Sequence, residues 1–231
     1  MSKVYAISDL HLCISGAKPM EIFGKKWDNY LDKIKTDWQG KVNDDDIVLI
    51  AGDISWAMKL EEAEKDLAFF SCLRGKKVII RGNHDYWWQS ISKVRDALPK
   101  GVYAIQNDAI KIDNFIFAGT RGWTVPEKTF QTEEDKKIYD RELIRLEMAL
   151  KSAQSLKKGD EEIIALIHYP PFNSKLQESD FTNLFTKYDV KKVVFGHLHG
   201  QYNNKTINIV DSVTYYLTSC DQIDNKLIEI S

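Results

Sequence analysis

The early part of this 231-residue chain alternates short apolar runs, turns carrying a polar or titratable group, and stretches with helical spacing. The runs "KVYAIS" (3–8), "DIVLIAG" (46–52) and "KVIIRG" (77–82) are rich in β-branched residues and apolar at successive positions. Such runs read as strands buried on both faces, as in parallel sheets. Between them, Trp27, Leu31, Ile34 and Trp38 recur at helical spacing and predict an amphipathic helix over 27–38. Leu60, Ala63, Leu67 and Phe70 mark a second helix. Trp87, Ile91, Val94 and Leu98 mark a third, stopped by Pro99. Strand–helix alternation of this kind argues for an α/β fold with parallel strands.

The second half is richer in strands. "FIFAG" (115–119), "EIIALIHYPP" (162–171) and "KKVVFGHLHG" (191–200) are strand candidates, and a long helix over 133–157 carries Tyr139, Leu143, Leu146 and Leu150 on one stripe. The closing runs "TINIV", "VTYYLTS" and "KLIEI" predict a meander. A mixed sheet or two packed sheets is the expectation. With no repeat and no linker rich in Pro, Gly or Ser, residues 1–231 read as one domain.

Composition narrows the function classes. A formal net charge of -2 argues against a broad nucleic-acid surface or an anionic-membrane binder. No apolar run approaches the roughly 18 residues that span a bilayer, and the N-terminus does not read as a signal peptide. The three cysteines, Cys13, Cys72 and Cys220, are widely spaced and odd in number, so they read as reduced thiols and a cytoplasmic protein is expected.

All five histidines, His11, His84, His168, His197 and His199, lie within a few residues of a strand's C-terminal end. Asp9 and Asp53 are placed the same way. Any one of them has a bland reading, as a turn former, a helix cap or a hydrogen-bonded core residue. Ligands of open α/β sheets bind at the carboxyl ends of the strands, and coincidence is a poor account of the whole set. "DLH" and "HLH", read as extended segments, would each put two side chains on one face. The assembled donors suit two divalent ions about 3.5–4 Å apart, with one carboxylate bridging them. Nitrogen and oxygen donors without thiolate suit manganese, iron, zinc or nickel better than magnesium. Such a pair can hold a bridging hydroxide as nucleophile and clamp phosphoryl oxygens.

In this order, "DLH" (9–11), "GD" (52–53), "GNHD" (82–85), "HYPP" (168–171) and "GHLH" (196–199) resemble the motifs of the calcineurin-like metallophosphoesterase superfamily. The resemblance implies a four-layer α/β/β/α sandwich of two mixed sheets flanked by helices. It implies two divalent metals, manganese foremost, with Asp9, His11 and His199 on the first. Asn83, His168 and His197 would hold the second, and Asp53 would bridge them. His84 would stay off the metals and assist the leaving group, with Asp85 orienting it. The implied activity is hydrolysis of a small phosphomonoester or phosphodiester, nucleotides included; a non-catalytic scaffold of the same fold is the alternative. Trp56 and Ala57 replace the second Asp and the phosphate-binding Arg of the Ser/Thr protein phosphatase branch, which argues against that branch.

Substrate choice has its own candidates. Tyr86, Trp87, Trp88, Trp123 and Phe130 could stack on a base or apolar group, or could be core. Arg121 could grip a phosphate or bond its own loop. The segment 120–157 reads as an insertion that could cap the cleft.

Overall fold

A computed structural model describes residues 2–14, 16, 18–200 and 205–231. In chain order, β1 (Val4–Ala6), α1 (Tyr30–Lys41), β2 (Ile47–Ile50), α2 (Leu60–Leu67), β3 (Lys76–Ile79), α3 (Ile91–Ala97) and β4 (Val102–Ala104) form the first half. Next come β5 (Asp108–Ile112), β6 (Phe115–Thr120), α4 (Glu133–Leu156), β7 (Glu162–Ile167), α5 (Asp180–Lys187) and β8 (Lys192–Phe195). Strands β9 (Ile207–Val210), β10 (Val213–Leu217) and β11 (Ile228–Glu229) close the chain.

The strands make two sheets, ordered β11-β1-β2-β3-β4 and β5-β6-β7-β8-β10-β9. Strands β1 to β4 run parallel, as do β6, β7, β8 and β10. Antiparallel β11, β5 and β9 sit at edges, while parallel β4 forms the other edge of the first sheet. Strand alternation builds the layers. Val4, Ala6, Ile47, Leu49 and Val78 of the first sheet pack against Phe117, Ile164, Leu166 and Val194 of the second. Tyr5, Val48 and Ile50 point the other way, onto Ile34, Trp38, Leu67 and Val94 of the helices. On the far side, Ile116, Ala118, Ile163 and Val193 meet Leu146, Ala149, Leu150 and Phe181. The result is the expected four-layer α/β/β/α sandwich of two mixed sheets. The central strands β1, β2, β6, β7 and β8 are almost wholly apolar because both their faces are covered.

Several expectations need correction. Helix α1 begins at Tyr30, and Trp27 sits in a separate 3-10 turn, Lys25–Trp27. Trp87 lies in the turn before α3. The closing meander does not form. β9 and β10 make a hairpin in the second sheet, while β11 crosses to the first and pairs with β1, Tyr5 facing Glu229. Strands β4 and β5 escaped the sequence reading. Only Ile105, Gln106 and Asn107 separate them, so their weak signals merge. Helix α4 does not cap the cleft; its apolar stripe is spent on the second sheet, as the outer layer. Among the described residues no helix is long and apolar enough to cross a membrane.

Candidate functional site

The motif residues leave the C-terminal ends of β1, β2 and β3 in one sheet and of β7 and β8 in the other, so both sheets feed one edge. The segments are not extended, contrary to the period-two reading of "DLH" and "HLH". Asp9 (φ 57°), His11 (φ 44°), Asp53 (φ 52°) and His197 (φ 74°) all adopt left-handed backbone. Non-glycine residues there cost on the order of 1 kcal/mol each, and such strain gathers at functional sites. Tertiary hydrogen bonds hold it in place. Asp9 N donates to Gly52 O at 3.0 Å, His11 N to Asp53 O at 3.0 Å and Leu12 N to Ile54 O at 2.8 Å.

The motif glycines answer a different need, close approach. A methyl carbon on Gly52 would lie 2.7 Å from the Gly82 backbone and from His168 Nδ1. One on Gly82 would strike Asp53, 2.8 Å from its Cγ, and one on Gly196 would strike Asp9. Each glycine therefore makes room for a chemical group delivered by another strand.

On one side of the site, His199 Nε2 lies 3.4 Å from His11 Nε2 and 3.5 Å from Asp9 Oδ1. Asp9 is buried and its carboxylate accepts from His197 N at 3.1 Å and from Ser219 Oγ at 2.8 Å. On the other side, Asn83 Oδ1 lies 2.7 Å from His168 Nε2 and 2.9 Å from His197 Nδ1. Asp53 stands between the two groups. Its Oδ2 is 3.8 Å from His11 Nε2 and its Oδ1 is 3.6 Å from His168 Nε2. The structure thus brings all seven expected ligands together. Asp9 is within ligand-sharing distance of both sides, since it also groups with Asp53 and His168.

The donor chemistry fits divalent cations. His168 Nδ1–H donates to the Ala51 carbonyl at 2.8 Å, which turns Nε2 into the site. There Nε2 faces the Asn83 carbonyl oxygen at 2.7 Å, a nitrogen and an oxygen donor side by side. His199 Nδ1–H donates to Asp221 Oδ1 at 2.7 Å, which turns Nε2 toward His11 and Asp9. A carboxylate behind a ligating imidazole fixes its tautomer and raises its basicity.

Electrostatics agree. Burial pushes the His11 ring down to about 3 and the His197 ring to about 4, so both are neutral donors at pH 7. Burial would lower His199 too, but its hydrogen bonds to Asp221 and Asp9 outweigh this and raise it to about 10. A cation would therefore displace a proton there. Burial pushes Asp53 up to about 7. Burial acts on Asp9 in the same sense, yet the His199 hydrogen bond and the surrounding imidazoles hold its carboxyl well below the ordinary range.

His84 stands beside these groups, its ring 5.6 Å from that of His11 and 4.7 Å from the Trp56 indole. Burial lowers its pKa, and its buried Nδ1 has no hydrogen-bond partner among the described residues. The orientation expected from Asp85 is not what its carboxylate does. Asp85 accepts from Gly82 N, Ile54 N, Ser55 N and Trp87 Nε1 at 2.8–3.1 Å, so it staples the "GNHD" turn to the loop after β2. Trp56 instead supports the rings of both His84 and His11, stacking on the latter at 4.7 Å.

Of the other aromatics, Trp87 and Trp88 are core, with Trp88 Nε1 donating to Gln106 Oε1, and Tyr86 is exposed. Trp123 packs beside Tyr169, whose ring lies 4.2 Å from that of His197. The Arg121 guanidinium lies over Trp123 and 3.9 Å from buried Glu142, so it is engaged within its own neighbourhood. The reading of the sequence missed Asp221 and the segment 20–27. Asp221 follows no motif, and Met20, Phe23 and Trp27 look like ordinary apolar residues. Together with Trp56, His84 and His199 they line a cleft of ≈ 450 Å³.

An uncharacterized protein of Methanocaldococcus jannaschii is 34% identical over 88 residues, 37% of this chain and 48% of that protein. The chain thus spans about half the length of the curated relative it matches. Among solved structures, a protein of Thermus thermophilus superposes with a TM-score of 0.62 at 13% identity, covering 100% of this chain and 99% of that one. The phosphopantetheinyl hydrolase of Mycobacterium tuberculosis gives 0.57 at 13% identity, covering 99% and 95%. At such identities the likeness is one of fold. The family model described as calcineurin-like phosphoesterase matches residues 2–201, and the chain belongs to that family.

Proposed function

We propose that this protein is a metal-dependent phosphoester hydrolase with a dinuclear centre. The observation that carries the reading is the Asp53 carboxylate, one oxygen turned to His11 and the other to His168, with a set of nitrogen and oxygen donors on each side. Asp9, His11 and His199 would hold one ion, Asn83, His168 and His197 the other, and Asp53 would bridge them. Manganese is the first expectation, with iron, zinc or nickel as alternatives for this donor set. The bound ions would supply a nucleophile by acidifying water and would neutralise charge on the phosphoryl oxygens.

The chain's own residues do the rest. Asp9 and Asp53 are held at fixed positions by backbone donors and by Ser219. Asp221 keeps the proton of His199 on Nδ1. His84 carries no carboxylate partner on its ring and faces the open cleft, where it would protonate the departing ester oxygen or stabilise charge on it. The substrate is a small phosphomonoester or phosphodiester, nucleotides included. On this reading residues 1–231 work as one cytoplasmic domain.

The test is hydrolysis of nitrophenyl mono- and diesters with added manganese. Wild type should turn over, and His84→Ala should lose about 10²–10⁴-fold in rate while still binding metal. Wild type inert with every metal would favour a scaffold instead.

A further inference from the structure

Resting on that hydrolase reading, we propose that the cleft beside His84 is the pocket for the leaving group, and that the substrates are phosphoesters of a bulky apolar alcohol. The cleft adjoins the candidate metal centre, with His11, His84 and His199 among its lining residues. In the proposed reaction, water oxygen bonds to phosphorus as the bond from phosphorus to the ester oxygen breaks. The alcohol leaves with a proton. The group that protonates it faces this cleft, so the alcohol portion of the substrate must occupy it.

The walls state what that portion is. Met20, Phe23, Trp27 and Trp56 provide apolar and aromatic surface. Two of the polar groups in the lining are already engaged. Trp56 Nε1 donates to Met20 Sδ at 3.1 Å, and Lys26 Nζ donates to the Asp221 carbonyl at 2.8 Å. Lys25, an exposed residue, also lines the cleft. A short polar alcohol would find few groups to bond here and would leave most of the ≈ 450 Å³ to water. That volume falls in the class of pockets that enclose whole small molecules.

The rim extends the argument. Phe23 is 63% exposed and neighbouring Ile22 74% exposed, beside a catalytic cleft where solvent-facing apolar side chains need a reason. Their segment, Met20–Phe23 and Lys25–Trp27, consists of two short 3-10 turns joined at Gly24, φ +114°. This segment, rather than 120–157, builds the specificity wall.

The experiment compares benzyl phosphate with methyl phosphate, whose alcohols are of similar acidity, so the ratio of kcat/KM reports the pocket. The expected preference for the benzyl ester is at least tenfold, the discrimination a hydrophobic pocket gives per small apolar increment. Phe23→Ala, at an exposed position, should shrink that ratio several-fold. The companion measurement needs no turnover: quenching of tryptophan fluorescence by benzylphosphonate and methylphosphonate, with and without manganese. Tighter binding of the benzyl compound, weakened by Phe23→Ala, supports the pocket. Equal binding of the two compounds overturns it, as does a methyl ester hydrolysed as well as the benzyl ester. Failure of both esters and of the nitrophenyl mono- and diesters, with a retained phosphonate preference, would refute the hydrolase reading and leave only an apolar binding pocket standing.

Discussion

Replacing Gly196 by alanine isolates the close approach that the site requires. The Gly196 backbone lies outside the left-handed region, so alanine meets no conformational barrier there. The penalty comes from what the methyl group strikes. Asp9 Oδ2 is the nearest atom, with Asp9 Cγ and Ser8 Cβ both at 3.2 Å, whereas carbon–carbon contacts settle near 3.5–4.0 Å. Asp9 cannot swing aside freely, because His197 N and Ser219 Oγ hold its carboxylate. The carboxylate and the chain at residue 196 must therefore separate by about 1 Å, and a misplacement of that size costs on the order of 10²-fold in rate. Gly101→Ala is the control. Its φ of +83° strains any side chain, yet nothing lies within 4 Å, so it should cost about 1–2 kcal/mol of stability and no metal affinity. The assays are thermal unfolding, nitrophenyl ester hydrolysis for the rate, and calorimetric titration of manganese into chelator-stripped protein for the metal site. The reasoning is refuted if Gly196→Ala binds manganese like wild type, or if Gly101→Ala loses affinity as well.

Asp221→Asn should weaken metal binding by about 10–100-fold, the usual effect of removing a carboxylate behind a ligating imidazole; unchanged calorimetric affinity would deny the residue that role. Acid should destabilise the metal-free protein. The folded pKa values of His11 and His197, about 3 and about 4, lie below the unfolded value of about 6.5, so their contribution falls as pH drops below 6.5. Asp53, raised to about 7, opposes this with one proton taken up on the folded side, and His199, raised to about 10, is constant in this range. The net excess is about one proton on the unfolded chain, so stability should fall by on the order of 1–2 kcal/mol between pH 6 and 4.5. Urea titrations with chelator present check this, and a stability that rises across that interval would contradict it.

The candidate ligands were legible because each is local to a strand end, and "GNHD" or "GHLH" can be read without knowing which strand lies beside which. The sandwich was less so. Strand β11 belongs beside β1, more than 220 residues earlier, and nothing local in "KLIEI" marks that partner. The left-handed turns at Asp9, His11, Asp53 and His197 were also hidden, since their conformation is imposed by cross-strand hydrogen bonds. Asp85 shows the limit of a motif. Its position was read correctly, but the structure turns its carboxylate onto backbone donors of the adjacent loop, and Trp56 supports the His84 ring instead. Asp221 was invisible because a lone aspartate after a strand has many uses, and only the fold places it 2.7 Å from His199.

The central claim is that Asp53 joins two metal sites. Elemental analysis and equilibrium dialysis of chelator-stripped protein against manganese test it most directly. The account predicts two ions per wild-type chain and loss of at least one in Asp53→Asn, together with loss of nitrophenyl ester hydrolysis. A wild-type protein that takes up one ion or none, or an Asp53→Asn variant that keeps two at unchanged affinity, would contradict it.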